Sequence, residues 1–137
     1  MSKTLVGTNG YVWLNGKLLA NLKGIEIKVA GNFEEVNFCG EWGTQNIYTG
    51  WSGEGTITCL KINSTVLDLV GDAYKTGVMP DIRIISKLTD KATGKSERAS
   101  ITDVVITEFY LAKFESKSII EEEIPIKFGG YERLESL

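Results

Sequence analysis

Gly50, Gly53 and Gly55 stand in the spacing Gly-x-x-Gly-x-Gly, a pattern whose backbone N–H groups can cradle a phosphate. A dinucleotide loop of this kind needs its glycines after a strand and at the opening of a helix, so that the helix N–H groups face the pyrophosphate. Here the order is reversed. The glycines precede the alternating stretch Thr56 to Ile62, and a helix signal comes only afterwards, at Ser64. They read as a flexible loop feeding a sheet. Glu34-Glu35 and Glu121-Glu122-Glu123 are the acidic clusters. Adjacent strand residues point to opposite faces, so neither run forms a convergent pair of carboxylates. Glu121 and Glu123 share a face, but the spaced ligands of a calcium loop are missing, and a solvated acidic surface is the expectation. The sequence holds no histidine, which removes the commonest general base and metal ligand. Cys39 and Cys59 are too far apart for a Cys-x-x-Cys pair, and each reads as a small hydrophobe in a strand-like segment. Serines are scattered without a nucleophile elbow. No catalytic residue, metal site or cofactor is expected.

Composition sets the frame around these residues. A chain of 137 residues suits a single domain with one core. Its 42% hydrophobic and 24% charged content is ordinary for a globular protein. Apolar runs fall far short of the roughly 20 residues that cross a bilayer, and Met1-Ser2-Lys3-Thr4 lacks a signal-peptide core. A cytoplasmic start and no membrane contact are expected. Fifteen basic and 18 acidic residues are spread along the chain for a net charge of −3, without a basic stripe for nucleic acid.

The elements that must position these groups are mostly strands. Tyr11 to Leu14 and Lys17 to Ala20 flank Asn15-Gly16, a tight-hairpin signal. Ile25, Ile27 and Val29 alternate with Glu26, Lys28 and Ala30. After a turn expected at Gly31-Asn32, Val36 and Phe38 alternate with Glu35 and Asn37, and the two runs read as an antiparallel ribbon. From Glu41 to Gly50 alternation stops, giving an expected loop, yet Trp42, Ile47, Tyr48 and Trp51 lie in or beside it. Such a loop either staples its own core or docks on another molecule. Ser64 caps a helix with Val66, Leu67, Val70, Ala73 and Tyr74 on one stripe, ending at Gly77. Ile82, Ile84 and Leu88 share a strand face, Asp90 to Gly94 form a hairpin loop, and Ala99 and Ile101 lie on the return. The apolar phase then shifts to Val104 and Ile106, which predicts a bulge near Thr102-Asp103. The last strand expected, Ile119 to Phe128, contains Pro125 and should be an edge or locally irregular.

With these segments in place, the chain resembles the XkdM-type tail tube proteins of contractile-tailed phages, phage-like elements and related bacteriocin particles. The resemblance rests on Glu35-Val36-Asn37-Phe38-Cys39-Gly40, then Thr49-Gly50, Gly53-x-Gly55-Thr56-x-Thr58, Lys61 and Ser64. Lys75-x-Gly77, Pro80, Asp90, Gly94 and Asp103-Val104 follow, with Glu121-Glu122-Glu123-x-Pro125 before Ile126-x-Phe128. Their shared order covers nearly the whole chain. Two features depart from the family pattern: a short arm before Tyr11, and Ile126 where an aromatic is usual.

The resemblance implies a mainly β fold, an antiparallel β-barrel or sandwich with one flanking α-helix. It implies a single tail tube domain over residues 1–137, with an N-terminal arm at 1–10 and a subunit or ring interface loop at 41–50. The function implied is structural and non-enzymatic: hexameric rings stacked into a hollow conduit inside a sheath. Glu26, Lys28, Glu35 and Asn37 are expected to face the lumen. Trp42, Ile47, Tyr48, Trp51 and Pro125 are expected at subunit or ring interfaces. The partners implied are other copies of the chain, a tail sheath protein, and tape measure and baseplate or initiator proteins. DNA enters only as non-specific cargo, in the case of a true phage. The location implied is a virion tail or phage-like particle, assembled in the host bacterial cytoplasm. A type VI secretion ring protein and a monomeric β-sandwich binding module are the alternatives.

Overall fold

The computed structural model describes residues 10–135 apart from 20, 61–67 and 69. The chain forms β1 (Gly10–Leu14), β2 (Lys17–Leu18), β3 (Leu22–Val36), β4 (Gln45–Leu60), α1 (Ala73–Thr76), β5 (Ile84–Thr89), β6 (Ser96–Thr102), β7 (Val105–Ile106), β8 (Glu121–Phe128) and β9 (Gly130–Glu135). Every strand pairing is antiparallel. One sheet has the order β2-β1-β5-β6-β9 and the other β3-β4-β8-β7. They face each other as a sandwich, the architecture expected, although neither sheet closes into a barrel.

The β1–β2 turn follows from its residues. Asn15 and Gly16 hold φ of 50° and 85°, both left-handed, as a two-residue hairpin requires. The core lies between the sheets. Val12, Leu14, Ile84 and Ile101 meet Ile57, Cys59, Ile124, Ile126 and Phe128, with Val70, Ile82, Val104 and Ile106 filling the sides. Of the expected helix, Ser64, Val66 and Leu67 lie outside the described residues. Val70 and Ala73 are buried, whereas Tyr74 is exposed and donates its hydroxyl to the Ile106 carbonyl. Gly77 ends α1 with a left-handed φ of 77°, its amide donating to the Ala73 carbonyl.

Four expectations need correction. No turn interrupts Gly31-Asn32. β3 continues through both residues, and its partner is β4, from Leu22↔Cys59 to Val36↔Gln45. The extra residue sits in β4, where Thr49 bulges between Tyr48 and Gly50 and donates to the Asn32 carbonyl. Second, the loop expected at Glu41 to Gly50 is confined to residues 37–44, so Ile47, Tyr48, Gly50, Trp51, Gly53 and Gly55 belong to a strand. The glycines are a strand surface for close approach rather than a flexible loop. A Cβ on Gly53 would lie 2.4 Å from the Phe128 ring, and one on Gly55 would lie 2.5 Å from the Glu26 carbonyl oxygen. Third, the phase shift after Ile101 is not a bulge. The chain leaves one sheet at Thr102, turns at Asp103 with φ of 53°, and enters the other at Val105. Ile101, Val104 and Ile106 stay buried because the sheets face each other across that step. Fourth, Cys39 lies in an exposed turn; only Cys59 is a buried strand residue.

The return crossing lies beside the first. After Phe128 the chain passes Gly129 and starts β9, which pairs with β6, a strand the sequence reading leaves out. A Cβ on Gly129 would touch the Asp103 side chain, and one on Gly130 would collide with the Thr102 hydroxyl. Both crossings are thus packed together at the Ile101 end of β6. At the opposite end the sheets part. Gly10, Leu88, Glu97 and Ala99 face Leu22 and Ile25 across a cleft of about 590 Å³.

Candidate assembly surfaces

Three parts of the β3–β4–β8 sheet stand out: one polar face, a projecting arm and two open edges. The polar face is built by period-two alternation. Glu26 lies opposite Thr56 and then Pro125, while Lys28 lies opposite Glu54 and then Lys127. These residues surround a shallow hollow of about 290 Å³. The Lys28 ammonium is 3.2 Å from the Glu54 carboxylate, and Lys23 pairs with Glu121 at the far end of the same sheet. All four side chains are about half exposed, so these pairs order the surface more than they stabilise the fold.

Glu35 and Asn37 sit elsewhere. With no residue inserted in β3 beyond Gly24, Glu35 falls on the side of Ile25 and Ile27, opposite to Glu26 and Lys28. The contact that a Cβ on Gly31 would make with the Phe33 ring confirms that odd residues share a side here. Asn37 follows the strand end, where its side-chain oxygen accepts from the Thr44 hydroxyl at 2.9 Å. The ribbon expected from Ile25 to Cys39 therefore does not put these four polar residues on one face.

The arm is the outer part of the β3–β4 hairpin. β8 pairs with β4 only from Gly53 to Leu60, whereas β3 accompanies β4 out to Gln45. Residues beyond Gly53 project roughly 25 Å as a two-stranded ribbon, at about 3.3 Å per residue. Such a ribbon is marginal alone in water, and this one exposes Val29, Phe33, Phe38, Ile47 and Tyr48. Phe33 and Tyr48 meet edge to face with centroids 5.6 Å apart, and Trp42 in the tip is 104% exposed. Trp51 marks the base: its ring packs on Phe128 and Tyr131 at 6.1 and 5.1 Å, so it belongs partly to the core. The signal of the arm in the sequence is the set of aromatics around Trp42; Phe33 was hidden by the expected turn.

The edges complete the sheet. Among the described residues β3 has no partner on its outer side, and β7 covers only Ile126 and Lys127 of β8. Pro125, without an N–H, lies in β8 between Thr56 of β4 and Thr107, whose amide donates to the Pro125 carbonyl at 3.1 Å. β8 is thus fully paired on one side and partly open on the other. On its core face Glu122 is buried opposite Cys59, an acid that apolar alternation does not anticipate. Burial, and second the Glu122 carboxylate, push the Cys59 thiol above its ordinary value. Among the described residues no group of three or more His, Cys, Asp or Glu side chains is placed to hold a metal ion.

This architecture recurs in known assemblies. A chain from the sheath-tube complex of an extracellular contractile injection system superposes with a TM-score of 0.74 at 12% identity, covering 97% of this chain and 93% of that one. A chain of the anti-feeding prophage baseplate, reconstructed with six-fold symmetry, gives a TM-score of 0.69 at 10% identity over 98% of each chain. These likenesses show the fold. Sequence goes further. The phage-like element PBSX protein XkdM of Bacillus subtilis (strain 168) is 32% identical over 136 residues, 98% of this chain and 92% of the relative. A family model described as phage tail tube protein matches residues 1–135. The chain therefore belongs to the phage tail tube protein family.

Proposed function

We propose that this chain closes into hexameric rings that stack into a hollow tube inside a contractile sheath. The observation that carries the reading is the four-stranded sheet with an open edge on each side and an unpartnered arm. Unpaired N–H and C=O groups on β3 and β8 are satisfied when β3 of one copy joins the β7–β8 side of the next. Repeated around a ring, that joining makes a continuous barrel, and the six-fold symmetry of a structurally similar assembly supports six copies. The face carrying Glu26, Lys28, Glu54, Thr56 and Lys127 then lines the lumen, since its opposite side is core. Lys23, Lys28 and Lys127 stand there against Glu26, Glu54, Glu121 and Glu123, a nearly balanced set. Such a wall holds polyanionic cargo weakly and lets it pass. Sheath, tape measure and baseplate or initiator proteins are the partners of the assembled tube, which is built in the host cytoplasm and resides in the tail of the particle.

The test is concentration-dependent assembly of the pure chain, followed by sedimentation and negative-stain imaging. Rings or tubes of uniform width are expected. A strictly monomeric species at millimolar concentration, with no tubes even beside its sheath or initiator, overturns the proposal and favours a monomeric binding module.

A further inference from the structure

The cleft at the parted end of the sandwich is a hole in the core. Gly10, Ser86 and Ala99 occupy inward positions of β1, β5 and β6, each two residues beyond Val12, Ile84 and Ile101 of the packed core. Because these three side chains are small, about 590 Å³ stays open against Leu22 and Ile25. Among the described residues, β3 alone of the four-stranded sheet lines this space, so the hole opens along the β3 edge.

Segment 107–120 borders the other edge of the same sheet and contains neither helix nor strand. β7 runs antiparallel to β8 beside Lys127 and Ile126, and Thr107 continues that course with its amide on the Pro125 carbonyl at 3.1 Å. The chain rejoins the sheet at Glu121, the start of β8. Phe109 anchors the segment, packing against the core and meeting Tyr74 edge to face with centroids 5.1 Å apart. Further along, Leu111, Phe114 and Ile119 are 77%, 82% and 79% exposed. Large apolar groups so exposed mark a contact surface. Glu108 and Glu115 balance Lys113 and Lys117, so apolar area and not charge selects what the segment meets.

Hole and segment lie at the same end of the sheet. Leu22 pairs with Cys59 and Cys59 with Glu122, which puts the Leu22 rim level with the start of β8. Within one chain β4 and β8 stand between them. Rotation about a ring axis changes no height. When β3 of one copy joins the β7–β8 side of the next, the exposed apolar groups of one copy therefore face the open hole of the other.

We propose that segment 107–120 of one copy plugs the cleft of its ring neighbour, with Phe114 and Ile119 entering between Leu22, Ile25, Leu88 and Ala99. This rests on the ring reading above and adds a side-chain lock to its strand pairing. Each copy offers a plug at one edge and a hole at the other, so the contact is heterologous and closes with the ring.

Cross-linking between two different chains tests it. Phe114→Cys in one chain and Ala99→Cys in a second, both in a C39A/C59A background, are mixed in equal amounts. A disulfide joining the two chains is expected in assemblies and not in dilute monomer. Replacing Ala99→Cys by Glu132→Cys, on the outward side of the other sheet, should give none. Independently, F114D/I119D should raise the concentration needed for assembly by about tenfold or more through lost apolar burial. Its monomer should melt as wild type does, since both side chains are exposed. If wild-type protein assembles but the mixed disulfide is absent, or F114D/I119D assembles equally well, the plug falls and the ring reading stands. A cysteine at position 99 already shielded from thiol reagents in the monomer means that the chain's own residues fill the cleft, and overturns the plug as well. If wild-type protein never assembles, the ring reading falls and takes the plug with it.

Discussion

Gly53 and Gly55 show how a residue's lack of a side chain can fix the spacing of a sheet. At Gly55 a methyl group would meet main-chain atoms of β3, which cannot rotate away; at Gly53 it would meet the buried Phe128 ring. Gly55→Ala and Gly53→Ala are each expected to destabilise the fold by about 1–3 kcal/mol through overpacking. Gly43→Ala, where the methyl group would meet open space, should stay within about 0.5 kcal/mol. Urea unfolding of the three variants measures this, and equal midpoints would refute the packing argument. Cys59 offers a pH test. Its thiol is raised above 9.0 in the folded chain, by burial and then by Glu122. Above that pH the unfolded chain loses the proton while the folded chain keeps it. The unfolded state then binds fewer protons, so stability falls as pH rises. The fall should be shallower in Cys59→Ala, as read from unfolding free energies between pH 8 and pH 10. A native-state thiol assay should modify exposed Cys39 and spare Cys59. The burial of Cys59 was legible from alternation with Ile57, but the exposure of Cys39 was not, because the pairing that ends β3 at Val36 depends on β4.

Elements that rest on local chemistry could be read from sequence; those that rest on long-range pairing could not. Asn15-Gly16 specifies its hairpin through backbone conformation alone, and Asp90 holds the β5–β6 loop by accepting from the Ala92 amide and Thr93 hydroxyl at 3.1 and 3.0 Å. Gly31-Asn32 looks like a turn by composition, yet Trp51 and Gly50 opposite keep it extended. β9 escaped notice because Gly130–Glu135 is largely exposed and polar, a strand made by its β6 partner. The candidate surfaces divide in the same way. Glu26 and Lys28 were readable as one polar face; the side on which Glu35 lies depends on β3 running through Gly31-Asn32 without the expected turn. At this scale the lumen assignment is tested with single cysteines at Glu26 or Lys28, after replacing Cys39 and Cys59. They should react freely in the monomer and be shielded in tubes from a bulky reagent applied outside. Rapid labelling of intact tubes would place this face outward. The arm gives a companion test. Joining Gly31 to Gly50 through Asn-Gly should leave the melting temperature within a few degrees and abolish tubes, because the sandwich core contains none of the excised side chains. A fall of many degrees would make the arm a staple of its own subunit.

The whole molecule divides its tasks between two sheets: one supplies the backing of the core, and the other carries the polar face, open edges and arm. The sandwich also has unequal ends. At one end the chain crosses between the sheets twice, with Asp103 beside Gly129, while at the other a cleft beside Leu88 and Glu97 separates them. Mechanically this is a wedge with its hinge at the two crossings. Its softest motion is expected to open the cleft and spare the hinge, so that a load on the subunit is taken up at the gap between the sheets while the corner near Phe128, where the arm is rooted, keeps its shape; hydrogen exchange faster at Leu88 and Glu97 than at Ile101 and Phe128 would bear this out.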